Sequence, residues 1–220
     1  MASGKFLFFD LGWTIEDETL AQMDRASKAA GLVRGYGIET TADRILALQE
    51  DAARAFAPSV FRYALSHLGL ADDQVQAVLQ EARWDKGKLC LYPDAKPTLD
   101  ILRQHHSLGL IANQSPGTRE RLRRYGIRKR FTLILASDEA GMEKPDPRLF
   151  ALALEKAGCH TEEAWMVGDR LDNDIRPAKQ AGWHTIRVLQ GYNRCQEPRD
   201  ILDQPDYTVD DLAQIVPMLS

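Results

Sequence analysis

Short apolar runs alternate with helical patterns over most of this chain. Phe6–Phe9 is an uninterrupted apolar run that ends at Asp10, and its length suits a buried parallel strand. The other predicted strands are Leu108–Ala112, Phe131–Leu135, Ala164–Val167, His184–Leu189 and a short Tyr207–Val209. Helices are predicted at about 94–106, from Pro116 onward, at 146–157 and at 173–181. This alternation predicts right-handed βαβ units and an α/β fold with a doubly wound parallel sheet.

Residues 15–90 follow a different pattern. The segment is rich in Ala, Leu, Gln, Arg and Glu, its apolar residues recur at helical spacing, and it shows no strand pattern. We therefore predict a core domain of residues 1–14 and 91–220 and an inserted helical domain of residues 15–90. In parallel sheets, ligands bind beyond the carboxyl ends of the strands. Because the insertion leaves the first strand at that edge, it is expected to lie over the site as a cap.

Composition and charge narrow the choice of partners. The chain has 220 residues, 44% of them hydrophobic, and a net charge of −4, so nothing global favours nucleic acid or an anionic membrane. No apolar run approaches the roughly 20 residues of a membrane helix. The N-terminus shows no signal-peptide pattern, and three widely spaced cysteines predict reduced thiols in a cytoplasmic protein. The sequence does not distinguish a monomer from a homodimer.

A basic run between Arg119 and Arg130 is the one local feature that could suggest nucleic-acid binding. It contains a single acidic residue, Glu120. It lacks the interleaved aromatic residues and the basic overall charge of a nucleic-acid surface. We interpret it as a solvated amphipathic helix with Leu122 and Ile127 facing inward.

Polar residues follow four of the predicted strands. Asp10 follows the first, Asn113-Gln114-Ser115 the second, Lys144 the third, and Gly168-Asp169 through Asp174 the fourth. Because the carboxyl ends of parallel strands share one edge of a sheet, these four segments are expected to converge on one site.

The order of these segments resembles the haloacid dehalogenase (HAD) superfamily over nearly the whole chain. The shared features are an Asp motif near the N-terminus, a helical insertion, an apolar strand, Lys144-Pro-Asp-Pro147 and Gly168-Asp-x-x-x-x-Asp174, with Met166–Gly182 as the strongest match. The resemblance implies a Rossmann-like α/β core with a helical cap. It also implies a Mg²⁺-dependent hydrolase with an aspartyl-phosphate intermediate, most consistent with a phosphatase of a small phosphorylated metabolite.

The same resemblance assigns roles to individual residues. Asp10 is the expected nucleophile, and Lys144 is expected to orient it and to neutralise the phosphoryl oxygens. The implied Mg²⁺ ligands are Asp10, Gly12 through its backbone carbonyl, Asp169 and Asp174, and the predicted phosphate contacts are Gly12, Asn113, Gln114 and Lys144.

Two positions depart from the family pattern. Gly12 stands where phosphatase members usually carry a second Asp, the general acid/base, and Ala112 stands where a phosphate-binding Ser or Thr is usual. Asn113 or Ser115 could replace the lost hydroxyl contact. General acid–base catalysis typically contributes about 10²–10⁴-fold, so we expect a substrate with a good leaving group or its own acid. Glu16 or Asp17 could serve as a substitute acid, but we favour surface charges.

Two alternative functions remain at this point. A dehalogenase of the same superfamily would tolerate Gly12, since halide leaves without a proton, but Asp169 and Asp174 favour a metal and a phosphoryl substrate. A catalytically impaired protein that still binds phosphate or metal would fit Gly12 and Ala112. The retained Asp10 and Lys144 argue against it.

Overall fold

Two compact units make up the chain, and one of them is built on a parallel β-sheet. The computed structural model describes residues 4–114 and 116–219. The α/β unit contains Met1–Asp17, Cys90–Gln190 and Pro198–Ser220, and the helical unit contains Glu18–Leu89 and Gly191–Glu197. The strands are β1 Phe6–Phe9, β2 Glu16–Asp17, β3 Cys90–Leu91, β4 Ser107–Ala112, β5 Leu133–Ala136, β6 Ala164–Gly168, β7 His184–Val188 and β8 Tyr207–Val209.

The main sheet confirms the predicted fold class. Six strands pair in parallel in the order β5-β4-β1-β6-β7-β8, while β2 and β3 form a separate antiparallel pair. The order reverses direction around β1, which gives a doubly wound, Rossmann-like α/β sheet. No strand was predicted for Glu16, Asp17 or Cys90, which belong to this pair, so the purely helical interpretation of 15–90 is wrong at both of its ends.

The first strand, β1, lies in the middle of the sheet, and both of its faces are covered by apolar side chains. Leu7 and Phe9 belong to one hydrophobic cluster, and Phe6 and Phe8 belong to another. Opposite Phe8, a Cβ on Gly109 would lie 2.6 Å from a ring carbon of Phe8, so a glycine is required there. A fully apolar strand with such packing anchors Asp10 at its carboxyl end.

The helices differ from the predictions mainly at their ends. In the α/β unit the described helices are α5 Ala95–Leu102, α6 Thr118–Arg124, α7 Ser137–Ala140, α8 Pro147–Ala157, α9 Arg176–Gln180 and α10 Ile215–Leu219. The helix predicted at 173–181 starts instead with a π-helical turn, Leu171–Ile175, which continues into α9. Asp146 caps α8 by accepting a hydrogen bond from the Arg148 backbone, and Pro147 occupies its first turn.

The basic run around α6 agrees with the prediction in part: Leu122 and Ile127 face inward, but Arg121 is buried instead of solvated. Leu122 and Ile127 are fully buried in the core of the α/β unit, whereas Arg123 is exposed and pairs with Glu120. None of the described helices combines the length and the apolar character needed to cross a lipid bilayer.

The helical unit has a hydrophobic core of its own. Its helices are α1 Thr19–Gly35, α2 Ala42–Arg54, α3 Val60–Ser66 and α4 Asp72–Glu81. The cluster inside it includes Val33, Ile45, Phe61 and Leu65. Residues 191–197, which the sequence prediction assigned to the core domain, group with this unit instead. One reason is visible at Cys195, whose thiol donates a hydrogen bond to the backbone carbonyl of Glu50 on α2.

Asp203 stabilises the α/β unit through two arginines. Its buried carboxylate accepts hydrogen bonds from Arg176 Nε at 2.7 Å and Arg199 Nε at 2.6 Å. Burial alone would raise the pKa of Asp203, but the hydrogen bonds from Arg199 and Arg176 outweigh it and lower the pKa to about 2. Because the folded-state pKa lies below the usual value of about 3.9, this stabilisation is present above pH 4 and is lost as the pH falls toward 2.

We therefore expect Asp203→Asn to lower the free energy of unfolding by about 2 kcal/mol at neutral pH. The difference from the wild type should shrink as the pH is lowered from 4 toward 2. Thermal or urea unfolding across this pH range measures it, with Asp210→Asn on the exposed surface as the control. A difference that stays constant between pH 4 and 2 would contradict the role of the charge.

Candidate active site

Three neighbouring strands of the sheet deliver most of the site. Asp10 follows β1, Asn113 follows β4, and Asp169 follows β6; β4 and β6 are the two sheet neighbours of β1. Lys144 comes from the segment between α7 and α8. The predicted convergence of these segments at one edge is what the α/β unit shows.

Lys144 links two of the carboxylates. Its Nζ lies 2.6 Å from Asp10 Oδ1 and 2.5 Å from Asp174 Oδ1, and the side chain is almost fully buried. Burial by itself would lower the pKa of Lys144, but the attraction of Asp10 and Asp174 outweighs it and raises the pKa above its usual value. Lys144 is therefore a fixed positive charge beside the predicted nucleophile.

Three carboxylates form a compact cluster. Asp10, Asp169 and Asp174 each offer one oxygen, and these oxygens all lie within 4.8 Å of one another. Burial raises the pKa of Asp174 to about 6, against the opposite effect of Lys144. Hard carboxylate oxygens in this number suit a small divalent cation such as Mg²⁺, so these residues fit the implied metal.

The local backbone explains how Asp174 reaches the cluster. The π-helical turn Leu171–Ile175 brings it back against the end of β6, and its Oδ2 accepts a hydrogen bond from the Arg170 backbone at 3.0 Å. A Cβ on residue 168 would lie 2.4 Å from the Asp174 carboxyl carbon. Gly168 is therefore required for the close approach of Asp174 to the strand end.

Asn113 holds Lys144 in place. Its side-chain amide donates to the Lys144 carbonyl at 2.7 Å and accepts from the Lys144 backbone N–H at 2.7 Å. The amide was predicted to contact phosphate, but both of its ends are occupied by the backbone of Lys144. The side chain of Asn113 has a positioning role.

Gln114 is also engaged within the protein. Its Oε1 accepts from Arg121 Nη2 at 2.7 Å, and its backbone N–H donates to Ser137 Oγ at 3.0 Å. Ala112, just before, is fully buried and offers no hydroxyl. Ser115, the other candidate for the lost hydroxyl contact, lies outside the described residues.

The loop after Asp10 folds back on itself. The Trp13 backbone N–H donates to the Glu16 carbonyl at 2.9 Å, and the Glu16 N–H donates to the Leu11 carbonyl at 2.8 Å. Trp13 adopts a positive φ of 55°, an uncommon conformation for a large side chain. Gly12 lies inside this tight loop and has no side chain that could transfer a proton.

Glu16 was misjudged from the sequence as a surface charge. It is fully buried, its Oε1 accepts a hydrogen bond from Tyr125 Oη at 2.5 Å, and it forms an ion pair with Arg121 Nε at 2.9 Å. Burial raises the pKa of Glu16, although Arg121 and Tyr125 oppose the change; the charge of Asp10 contributes to the increase. The only sequence signal was the four-residue spacing of Arg121 and Tyr125, which places both on one helical face.

Comparisons with known proteins agree with this geometry. A family model described as HAD-hydrolase-like matches residues 141–215. The chain is 31% identical to the glyceraldehyde 3-phosphate phosphatase of Pyrococcus abyssi over 85% of this chain and 82% of that protein. It is 36% identical to the phosphoserine phosphatase of Thermus thermophilus over 74% of this chain and 65% of that protein. It is 42% identical to the glyceraldehyde 3-phosphate phosphatase of Methanopyrus kandleri over 54% of this chain, and it spans only about half (52%) of the length of that relative.

A solved structure supports the same assignment. The HAD phosphatase from Thermococcus onnurineus superimposes with a TM-score of 0.65 at 25% sequence identity, covering 98% of each chain. The fold, the order of the four motifs and these relatives together define the class. The chain belongs to the haloacid dehalogenase superfamily of hydrolases.

Proposed function

We propose that this protein is a Mg²⁺-dependent phosphatase that acts through an aspartyl-phosphate on Asp10. The observation that carries the proposal is Lys144 Nζ, which bridges Asp10 and Asp174 inside a cluster of three carboxylates. A buried positive charge held beside the nucleophile and beside carboxylates that could bind a metal ion would stabilise the negative charge of an anionic substrate. The relatives named above are phosphatases, which supports a phosphoryl group as the reacting part.

Different residues of the α/β unit would bind the metal, attack the phosphoryl group and neutralise its charge. Asp10, Asp169, Asp174 and the backbone carbonyl of Gly12 would hold Mg²⁺, which supplies positive charge that offsets the repulsion between Asp10 and the phosphate. The free carboxylate oxygen of Asp10 attacks phosphorus, and the bond to the leaving-group oxygen breaks. Lys144 holds the other oxygen of Asp10 and faces the phosphoryl group. Water then attacks phosphorus, which releases phosphate and restores Asp10.

The substrate is proposed to be a small phosphorylated metabolite with a good leaving group. Gly12 cannot protonate the departing oxygen, so departure depends on the stability of the leaving anion or on an acid in the substrate. The relatives act, by their names, on different phosphorylated metabolites, which leaves the identity of the metabolite open. Three free thiols, Cys90, Cys159 and Cys195, support a cytoplasmic setting for the reaction.

The test is phosphate release from p-nitrophenyl phosphate, with Mg²⁺ or with EDTA, by the wild type and by Asp10→Asn. We expect turnover that requires Mg²⁺ and that falls to the blank in Asp10→Asn, since the amide is not a nucleophile. Turnover that persists in EDTA or in Asp10→Asn would contradict the proposal.

A dehalogenase is the second candidate because of Gly12, since halide departs without a proton. Metal-independent halide release from a 2-haloacid, combined with no phosphatase turnover, would favour it. The fixed contact of Lys144 with Asp174 and the metal-type cluster are the observations against it.

A further inference from the structure

Arg25 is an unusual cation inside the helical unit. It lies on α1, and its guanidinium carbon stands 3.7 Å from the ring centroid of Phe61 and 5.8 Å from that of Trp84. Its Nε donates a hydrogen bond to the backbone carbonyl of Ala82 at 2.9 Å. Two aromatic rings and one backbone carbonyl therefore hold the guanidinium in a fixed position.

This cation has no acidic partner among the residues that the structure describes. Its sequence neighbour Asp24 is already paired with Lys28 at 2.6 Å and with Lys88 at 2.5 Å. Burial lowers the pKa of Arg25 to about 10, against a smaller electrostatic effect of Tyr192 that raises it. Partly buried charges are normally paired, as Arg121 is with Glu16 in the α/β unit.

The remaining hydrogen-bond donors point to the class of ligand. Nη1 and Nη2 of Arg25 donate no hydrogen bond to any described residue. Because Nε is already bonded, the two Nη atoms are the donors left for a ligand. Together they can donate two parallel hydrogen bonds to two oxygens of one carboxylate or phosphate group. The neighbouring rings of Phe61 and Trp84 reduce the local water and so strengthen an ion pair made there.

We propose that Arg25, with Phe61 and Trp84 beside it, forms an anion-binding site of the helical unit that takes the carboxylate or phosphate group of a small molecule. All three residues belong to the helical unit, so the site does not depend on the proposed phosphatase reaction.

Trp84 provides a local reporter for the test. Fluorescence of the full chain, in EDTA, is titrated with sodium acetate and with inorganic phosphate, with sodium chloride at matched ionic strength as the reference. We expect the tryptophan fluorescence to be quenched in a saturable way, in the millimolar range, by acetate, by phosphate or by both. The anion that saturates the quenching at the lower concentration identifies the preferred ligand group. Trp84→Phe should remove the signal, since the other three tryptophans lie in the α/β unit.

Variants then decide whether Arg25 is responsible. Arg25→Gln should weaken binding at least about 10-fold, because a charge-assisted pair is lost. Arg25→Lys should recover only part of the affinity, since an ammonium lacks the two parallel donors of the guanidinium. Arg54→Gln, a change at an exposed arginine already paired with Asp51, should leave binding unchanged.

The proposal is overturned if quenching does not saturate in the millimolar range, or if Arg25→Gln and Arg54→Gln bind equally well. Circular dichroism melting of each variant separates loss of binding from loss of folding. If Arg25→Gln melts at a lower temperature than the wild type, the anion affinity of Arg25→Lys is compared with that of the wild type instead. Equal affinity of these two proteins would overturn the proposed two-point contact of the Arg25 guanidinium with the anion.

Discussion

Replacing Lys144 with methionine should reduce kcat/KM by about 10³-fold and, at the same time, strengthen Mg²⁺ binding. The loss of activity follows because Lys144 Nζ fixes Asp10 Oδ1 at 2.6 Å and faces the phosphoryl group in the proposed reaction. The gain in metal binding follows because the Lys144 cation directly contacts two of the three carboxylates of the cluster, Asp10 and Asp174. Without it, Asp10 and Asp174 lose the positive charge that lies between them.

Stability gives a readout that does not depend on turnover. In EDTA, Lys144→Met should unfold more easily than the wild type by about 3 kcal/mol, since removing one partner leaves buried charges uncompensated. Mg²⁺ binds the folded state and should restore much of this loss, so the Mg²⁺-induced rise in Tm should be larger in the variant than in the wild type. Calorimetry or thermal fluorescence with and without Mg²⁺ measures both effects.

Lys156→Met is the matched control, because Lys156 is exposed on α8 and has no described ion pair. It should match the wild type in kcat/KM, in Tm and in its response to Mg²⁺. An equal Mg²⁺-induced rise in Tm in Lys144→Met and the wild type would show that the lysine charge does not oppose the metal. Full activity of Lys144→Met would exclude the role proposed for Lys144.

The strand-end residues were predictable because their positions follow from backbone geometry. Apolar runs marked β1, β4 and β6, and parallel pairing brings the residues after their carboxyl ends to one edge whatever the side chains are. Asp10, Asp169 and Asp174 could therefore be grouped from the sequence. Lys144 depended on the family resemblance, since a lysine in a loop is usually solvated.

The roles of Asn113 and Glu16 could not be predicted, because each depends on a partner that is distant in sequence. Asn113 bonds the backbone of Lys144, 31 residues away, and its amide would suit a phosphate equally well by composition alone. Glu16 is buried by Tyr125 and Arg121, more than 100 residues further along the chain. The chemistry of a side chain limits the contacts that it can make, and the tertiary structure determines which of these contacts it does make.

The domain boundary at 191–197 failed for a related reason. The segment follows β7 directly, so chain order favoured the core domain, but its contacts are with the helical unit, for example Cys195 with Glu50. Hydrophobic periodicity reports the faces of an element and contains no information about which unit a short loop will join.

Restoring a carboxylic acid at position 12 should change which substrates the protein can hydrolyse. For wild type, we expect the rate to fall steeply as the pKa of the leaving alcohol rises, because Gly12 cannot protonate the departing oxygen. Gly12→Asp should raise kcat for an alkyl phosphate by about 10²-fold or more. It should raise the rate for p-nitrophenyl phosphate much less, since that leaving group needs little protonation. Gly12 does not have a positive φ, so aspartate can adopt its backbone conformation.

Gly12→Asn is the matched control, since asparagine has nearly the same size as aspartate but cannot transfer the proton. The measurement is kcat for a series of aryl and alkyl phosphates with Mg²⁺, plotted against the pKa of the leaving group for the wild type and both variants. The slope should flatten in Gly12→Asp and stay steep in Gly12→Asn. A flat slope in the wild type would mean that another group already supplies the proton, and the buried Glu16, whose pKa is raised by burial, would then be the first residue to replace. Equal gains in Gly12→Asp and Gly12→Asn would instead show that the effect of residue 12 is steric, and the missing acid would no longer explain the choice of leaving group.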